Sequence, residues 1–593
     1  MNMNQEKTPQ SEDRKALSEQ IPPPPADTGL LTGSRLAIVF SAILVSSLLH
    51  ALDQTILATA LPRIASDFDA FSLQGWVSDS YILAQTVFLL VHGKLLRIFP
   101  AKWVLVSGIV LFELGSLLCG LSRNVGQLIA GRVVSGIGAA AIFVAMIQVV
   151  SQATRLEQRP RLFGMFGAVF GLASVIGPLI GGVFTDKATW RWCFFINLPI
   201  GGISLAVVLV ALPGAPPLGC DPTTRTPKAI LRQVLHMDLI GAILSATAVT
   251  CLVLALQWGG NTKPWNDPGV VSTFVISGVA AIAFVLWERH VGDGALAPLA
   301  IFKSRSVCVH TISVALSMLR ERTQLRRCCL QLSHPVLAPP LLLRKFNPVS
   351  LSCISPDPRC TPQYIPIFYQ AAKHSSAISS GIHLLPFILT VALTSLACGQ
   401  IISQVGYYWP FLAAAPVFLG LGSGLLYSLE TTTSAGKLIG FQILAGVGTG
   451  MGMQNAMLAL QVEFRDTPTL IAQVMSMASF AQFLGGTLGL AVAEPVFASQ
   501  LSKYLLRDAP AAPAAIVRES PTSIYTELPP ALVPAVVEAF TASLKLVFLI
   551  GVPVAVLALV AAAFIKNLPI KPATNARPED ARAKAQPEDV GEV

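Results

Sequence analysis

The chain is 593 residues long, 53% hydrophobic and only 12% charged, with a mean hydropathy of +0.64. Soluble domains average about 25% charged residues, so a solvent-coated globule is excluded. The net charge of +9 does not mark a nucleic-acid partner, because Lys and Arg sit in short clusters beside apolar runs, without a basic stripe interleaved with aromatics.

A bilayer core takes roughly 20 apolar residues per helical crossing, and long apolar runs without period-two alternation specify helices rather than barrel strands. The first 30 residues are polar and include Pro22-Pro23-Pro24-Pro25, so residues 1–35 are expected to be a disordered cytosolic tail with no cleavable signal peptide. Eight spans are expected before residue 290, at 36–58, 74–92, 103–121, 126–150, 162–184, 193–212, 238–257 and 270–287. The first six make one bundle (36–212), and the last two lie in a linker (213–300). Lys94, Arg97 and Lys102 fall in one loop, Arg155, Arg159 and Arg161 in another, and Arg225, Lys228 and Arg232 in a third. All lie on the same side as Arg14, Lys15 and Arg35, which the positive-inside rule makes the cytosol.

Residues 301–566 are expected to form the second bundle. Five clear spans lie near 382–404, 410–428, 438–460, 470–494 and 543–565. A mixed Pro/Ala-rich loop of 500–542 is expected outside, and 567–593 form a cytosolic tail. The ninth of fourteen spans is disrupted. An apolar stretch at 307–318 stops at Arg320-Glu321-Arg322, and 320–360 then carry six Arg and four Cys without helical period. Apolar residues resume at Tyr364 to Tyr369. Residues 319–362 read either as a retained intron or mispredicted exon interrupting one helix, or as a real cytosolic or re-entrant insert. The ten cysteines show no metal-ligand spacing, and no cofactor is expected.

Four motifs follow in order. Span one ends Leu52-Asp53-Gln54-Thr55-Ile56, and the loop after span two is Gly93-Lys94-Leu95, closed by Lys102. Span four opens Gly131-Arg132 and continues Gly136-Ile137-Gly138, and span five contains Gly177-Pro178-Leu179-Ile180-Gly181-Gly182. This order and spacing resembles the major facilitator superfamily, specifically its fourteen-helix drug:proton antiporters. Thr189-Trp190-Arg191-Trp192 through Asn197-Leu198-Pro199, and Gln257-Trp258-Gly259-Gly260, resemble fungal toxin and drug exporters. The resemblance implies an all-α polytopic membrane protein of two six-helix bundles plus two linking helices. It further implies export of a small amphipathic molecule (a toxin, secondary metabolite or antifungal) in exchange for protons, by a monomer in the plasma or vacuolar membrane. The Gly177-Pro178 span corresponds to the family's antiporter motif, and Gly93, Lys94 and Lys102 to its cytosolic gate loop. Leu96 stands about where that loop usually carries an acid, which implies a gate that works differently. Proton-linked siderophore uptake, or an inactive product of a mis-spliced gene model, are the competing readings.

The residues point the same way independently. A charge at mid-membrane costs about 2.5–3.5 kcal/mol on insertion scales, so Asp53, Glu113 and Arg132 are candidate coupling residues. Asp53 lies about 26 Å up span one and Arg132 about 9 Å down span four, nearly one depth. A carboxylate and guanidinium there can pair, and protonation of Asp53 would break the pair; a static packing pair is the plain alternative. Glu113 can carry a proton or simply bond a neighbouring helix. Gln54, Gln454 and Asn455 are candidate cavity residues or ordinary interhelical bonders. Gly167 with Gly171, Gly177 with Gly181, and the run Gly446, Gly448, Gly450, Gly452 permit close helix approach. Gly399-Gln400 to Gly406 is a faint copy of the Gly93 loop. Asp79 is expected within reach of water, Glu494 before Pro495 is expected to end its helix, and His50 and His310 are expected to be isolated core or interfacial residues. No G-x-x-x-x-G-K-[ST] loop is present, so ATP is not the expected energy source, and no nucleophile–base pair suggests an enzyme.

Overall fold

The computed structural model describes residues 30–68, 73–218, 226–259, 263–298, 301, 360–513, 517 and 523–570. Residues 1–29 and 571–593 of the two tails, the stretch 307–318 with His310, and residues 319–359 of the anomalous segment lie outside the described residues; α1 begins at Gly33, inside the expected tail 1–35.

The first bundle contains α1 (Gly33–Asp67), α2 (Gln74–Ile98), α3 (Ala101–Gly120), α4 (Val125–Ala153), α5 (Arg159–Lys187) and α6 (Asn197–Ala211), the last preceded by a one-turn helix at Trp192–Phe195. A short helix Pro227–Leu235 leads to the linking pair α7 (Leu239–Trp258) and α8 (Pro268–Val291). The second bundle contains α9 (Cys360–Lys373), α10 (Leu385–Val405), α11 (Trp409–Tyr427), α12 (Ala435–Gly452, continued as Asn455–Glu463), α13 (Pro468–Asp508) and α14 (Val533–Phe564).

Local chemistry sets many of the helix starts. Asn124 accepts from Gln127 N at the start of α4, Asp238 from Gly241 N at α7 and Asp267 from Gly269 N at α8. Proline sits in the first turn of α5, α8, α10, α11, α13 and α14, where its missing N–H costs nothing. Gly406, with φ of +81°, closes α10 in the left-handed region.

Twelve described helical segments are long and apolar enough to cross a membrane. At 41 residues, α13 is a further one by length. The described part of α9, 14 residues, spans about 21 Å. The all-helical membrane fold is as expected, and twelve of the expected fourteen spans are found among the described residues. Two boundaries differ from the sequence reading. The helix does not end at Glu494: α13 runs through Pro495 to Asp508, and α14 begins at Val533, so the expected 500–542 loop shrinks to 509–532. Proline in a membrane helix removes one bond, which neighbouring helices tolerate.

The bundles meet along two seams, α5 against α10 and α2 against α13, while α7 and α8 pair and α7 packs on α2 and α13. Outward faces are apolar and exposed, as at Val275, Val279, Ile282 and Leu286 of α8, which fits contact with lipid rather than water. Polar bonds between the bundles lie at the end bearing the basic loops. Arg97 donates to Gln473 (3.2 Å), Arg159 to Gln461 (3.2 Å) and Ser403 to the Glu157 carbonyl (2.7 Å). The molecule is thus closed at its basic end.

Glycine reveals an internal repeat. A Cβ at Gly136 of α4 would lie against the Tyr81 carbonyl and 3.0 Å from Ala84 Cβ of α2; one at Gly446 of α12 would lie 2.8 Å from the Phe387 carbonyl and 3.0 Å from Thr390 Cβ of α10. A Cβ at Gly138 would likewise lie 2.8 Å from Phe112 Cα of α3, and one at Gly448 2.9 Å from Leu419 Cα of α11. The same spacings recur in both halves, so the bundles are copies of one packing pattern. The Gly93 loop has its counterpart too: Gly93 abuts Ser476 of α13, and Gly399 of α10 abuts Pro160 of α5.

Because backbone atoms oppose these positions, Gly138→Val and Gly448→Val are expected to cost about 1–3 kcal/mol each through overpacking. Thermal unfolding in detergent checks this, and unchanged midpoints for both would contradict the packing described.

Candidate buried ion-pair site

Asp53 and Arg132 are each only 1% exposed. Arg132 Nη1 donates to Asp53 Oδ2 at 2.6 Å. Asn197 Nδ2 donates to the other oxygen, Oδ1, at 3.1 Å, and also to Ser116 Oγ at 3.1 Å. Arg132 Nε donates to the Val77 carbonyl at 3.1 Å, and its guanidinium lies 4.1 Å from the centre of the Tyr81 ring. Five helices converge on this point. Gly115 and Gly131, whose Cβ positions would collide with Ser135 and Cys119 respectively, press α3 and α4 close enough to seal it. In so dry a setting both carboxylate oxygens need donors, and both have them.

A second polar group adjoins the pair. His50 Nδ1 lies 2.8 Å from the Tyr81 hydroxyl, and His50 Nε2 lies 3.3 Å from both the Gln54 and Gln85 amide nitrogens. With amide donors facing Nε2, the neutral ring accepts there and its Nδ1–H donates to Tyr81. Gln54, expected at a cavity, is therefore tied into this network, and His50 is not isolated. The His50 ring also meets Phe143 edge-on at 6.1 Å, and Phe143 meets Phe483 of α13 at 5.3 Å, which extends the contact chain into the other bundle.

Glu113 sits on α3 one turn before Ser116. Its carboxyl oxygens are buried and make no hydrogen bond among the described residues. They lie over Gly201 of α6, where a Cβ would meet Glu113 Cγ at 3.0 Å. Gly201 follows Asn197 by one turn, so Glu113 occupies the α3–α6 seam beside the ion pair.

The antiporter-like span divides its glycines between two neighbours. Gly167 and Gly171 face α10, at Ser395 and Ala392, whereas Gly177 and Gly181 face α1 at Thr55 and Ile56. Thr55 Oγ1 donates to the Ala173 carbonyl at 2.9 Å, across from Pro178 and just beyond Asp53. A Cβ at Gly182 would meet nothing within 4 Å, so that glycine serves no described contact.

The gate-loop residues do not act as one group. Gly93 abuts α13, and Lys94 Nζ donates to the carbonyls of Gly294 (2.8 Å) and Ala295 (3.3 Å) after α8. Lys102 turns away and donates to the Leu209 carbonyl at 2.8 Å. Leu96, in the usual acid's place, is buried apolar packing.

The span holding Gln454 and Asn455 breaks at Met453-Gln454, and Asn455 Nδ2 donates to the Met451 carbonyl at 2.6 Å. Asp79 is half-buried and is hydrogen-bonded by Gln257 of α7. Asn197, Ser116, Tyr81 and Gln85 were not singled out from sequence; the available signal was a run of polar residues inside apolar spans, and Asn197 lay within a stretch used only as a family signature.

Paired helical bundles meeting at a seam closed at one end, with an ion pair buried in one of them, define a polytopic membrane transporter. A family model described as Major Facilitator Superfamily matches residues 43–319. The chain is 35% identical to "MFS-type efflux pump MFS1" of Trichophyton rubrum, covering 89% of this chain and 91% of that protein. It is 36% identical to "MFS-type transporter phomT" of Diaporthe leptostromiformis (83% and 75%), and 33% identical to "Efflux pump hmp6" of Hypomyces subiculosus (93% and 90%). Solved structures sharing the fold include the human organic anion transporter MFSD10, with TM-score 0.52 at 14% identity over 88% of this chain and all of that one. Another is the proton:xylose symporter XylE, with TM-score 0.54 at 10% identity over 91% and 97%. The chain belongs to the Major Facilitator Superfamily, and is a multi-pass membrane transporter rather than an enzyme.

Removing one member of a buried pair strands the other charge. Arg132→Ala is expected to cost about 3–5 kcal/mol, and Asp53→Asn with Arg132→Gln together less than the sum of the single changes. Unfolding midpoints of the double-mutant cycle measure this, and strict additivity would show that the pair carries no coupling.

Proposed function

We propose that the protein exports small amphipathic organic molecules in exchange for protons, with Asp53 as the proton carrier. The observation that carries this reading is the dry Asp53–Arg132 pair with Asn197 on the second oxygen. Ionised, Asp53 is charge-balanced and fully bonded. Protonation removes the ion pair, and Arg132 is left with the Val77 carbonyl and the Tyr81 and Phe194 rings among its contacts. A group whose two protonation states bond α4 so differently can bias two bundle orientations by the few kcal/mol that alternating access requires. Glu113, unbonded beside the pair, serves as a second carrier. The names of the relatives, two of the three being efflux pumps, favour export over uptake.

For the cargo we propose contacts in the second bundle. Gln442 is fully buried and lies beside the Tyr369 hydroxyl, and among the described residues neither its amide atoms nor that hydroxyl makes a hydrogen bond of ordinary geometry. Tyr369 stacks on His383 at 4.4 Å, offering an aromatic face beside polar atoms. An amphipathic molecule satisfies both. These residues replace Gln454 and Asn455 as cargo contacts.

The basic end is assigned to the cytosol by its Lys and Arg, with both termini there and the protein monomeric in the plasma membrane. Residues 1–35 and 567–593 are then cytosolic tails flanking bundles at 36–212 and 301–566 and the 213–300 linker. Residues 319–362 are proposed to be a retained intron or mispredicted exon, a reading supported by the family match stopping at 319.

Export of a panel of fluorescent and toxic compounds from cells expressing the protein, with and without an uncoupler, tests the reading. Asp53→Asn is expected to reduce gradient-driven export by at least about tenfold, the size of a 1.4 kcal/mol loss in coupling. Efflux indifferent to the uncoupler, or a fully active Asp53→Asn variant, would remove the proposed mechanism.

A further inference from the structure

The linking helices carry a second acidic site, distant in sequence from Asp53. Asp238 caps the start of α7 and Glu288 lies near the end of α8, 7% and 3% exposed. Asp238 Oδ1 accepts from Gly241 N (2.8 Å) and from Trp287 Nε1 (2.7 Å), and Glu288 Oε2 accepts from Ala297 N (2.8 Å). The other two oxygens, Asp238 Oδ2 and Glu288 Oε1, are buried without a partner. They face the same point: a Cβ on Gly241 would lie 2.8 Å from Asp238 Cγ and 2.9 Å from Glu288 Oε1.

Among the described residues no cation is bonded to either acid. On α8, the His290 ring packs against the Trp287 ring at 5.9 Å. On α2, His92 Nδ1 is bonded to the Phe88 carbonyl and Lys94 Nζ to strap carbonyls. From α13 the facing groups are uncharged, Gln473 and Met477. Two carboxylates aimed at each other in a dry site cannot both hold a negative charge cheaply, whereas one proton between them supplies a donor for both orphaned oxygens.

The strap that Glu288 holds has a specific position. Residues 295–297 are fully buried, wedged where α2 meets α13. Lys94 of the first bundle donates to the Gly294 and Ala295 carbonyls. Gln473 of the second bundle donates to those of Ala295 (3.2 Å) and Leu296 (3.3 Å), and itself accepts from Arg97. Ala297 packs with Leu90 of α2 and Met477 of α13. One short segment therefore joins both bundles at the closed end, and its anchor is the Glu288 carboxyl.

We infer that Asp238 and Glu288 share one proton, and that this proton sets how firmly the 294–297 strap latches the two bundles at the basic end. Loss of the proton leaves two facing negative charges, drives Glu288 away from Ala297 N and loosens the strap. The latch is thus firm at low pH and slack at high pH. It does not depend on whether export is proton-driven, because the strap is observable without cargo.

Hydrogen–deuterium exchange of the full-length protein in lipid nanodiscs tests this, from about pH 5 to about pH 9 with correction for intrinsic exchange. Protection of the 294–297 amides is expected to fall at least about tenfold across that range, while amides of α4 stay level. In Glu288→Gln, which keeps an acceptor for Ala297 N and cannot lose a proton, strap protection is expected to be flat with pH. Asp238→Asn, which keeps the α7 cap, is expected to flatten it as well. Flat protection in the unaltered protein, or an unchanged pH response in both variants, overturns the inference. The unaltered protein alone decides the matter if either variant fails to fold.

Discussion

The first bundle is organised around one costly interaction, the ion pair between Asp53 and Arg132. In a medium where a lone charge costs several kcal/mol, the pair persists only with a short separation and a donor on each carboxylate oxygen. That requirement reaches far beyond two side chains. Asn197 must come from α6, Ser116 from α3, the Val77 carbonyl and Tyr81 ring from α2, and the helices must approach until water is squeezed out. Gly115, Gly131, Gly136 and Gly138 make that approach possible, since a methyl group at any of them would meet its neighbour. The glycine pattern and the ion pair are thus one design, the first supplying the dryness that the second needs.

The repeat shows what each half adds to a common scaffold. Arg132 precedes Gly136 by one turn, and Gln442 precedes Gly446 by the same turn, so equivalent places hold a cation in the first bundle and a neutral amide in the second. The first half closes its site internally. The second leaves both Gln442 amide atoms without a hydrogen bond of ordinary geometry among the described residues, a state that costs energy unless something else supplies the partners. The proposed division of labour rests on this asymmetry, with charge handled on one side of the pseudo-symmetry and a visiting molecule on the other.

Much of this was legible in the sequence, for reasons that differ by feature. Spans were readable because lipid demands long apolar runs, and the intramembrane Asp53, Glu113 and Arg132 stood out because charge there is rare. Their common depth followed from helical rise alone. The partners did not follow. Asn197 and His50 look like incidental polar residues until α6 and α2 are placed beside α1, and Asn455 looks like a cavity residue until the helix breaks ahead of it. Helix ends misread at Glu494-Pro495 because proline is a weak stop signal where neighbouring helices supply the packing. Asp238 and Glu288 went unnoticed because each reads as an ordinary residue at a helix end. Only the α7–α8 hairpin brings them together.

That hairpin need not be there for two bundles to rock, so its contacts bear on why the linker is structured. A flexible tether would leave each bundle free, whereas α7 packs on both α2 and α13, Gln257 bonds Asp79, and the strap after α8 is gripped by Lys94 and Gln473 together. Any reorientation that opens the basic end separates α2 from α13, and must therefore break or carry along those bonds. The linker is loaded by the same motion that exposes the cargo path. A segment in that position alters the balance between the two orientations by the free energy of its own attachment, and the attachment ends on a carboxyl group facing another carboxyl group. On the mechanism proposed, the energetics of reorientation involve two acidic centres, one inside the first bundle at Asp53 and one at the end of the hairpin, joined mechanically through α2.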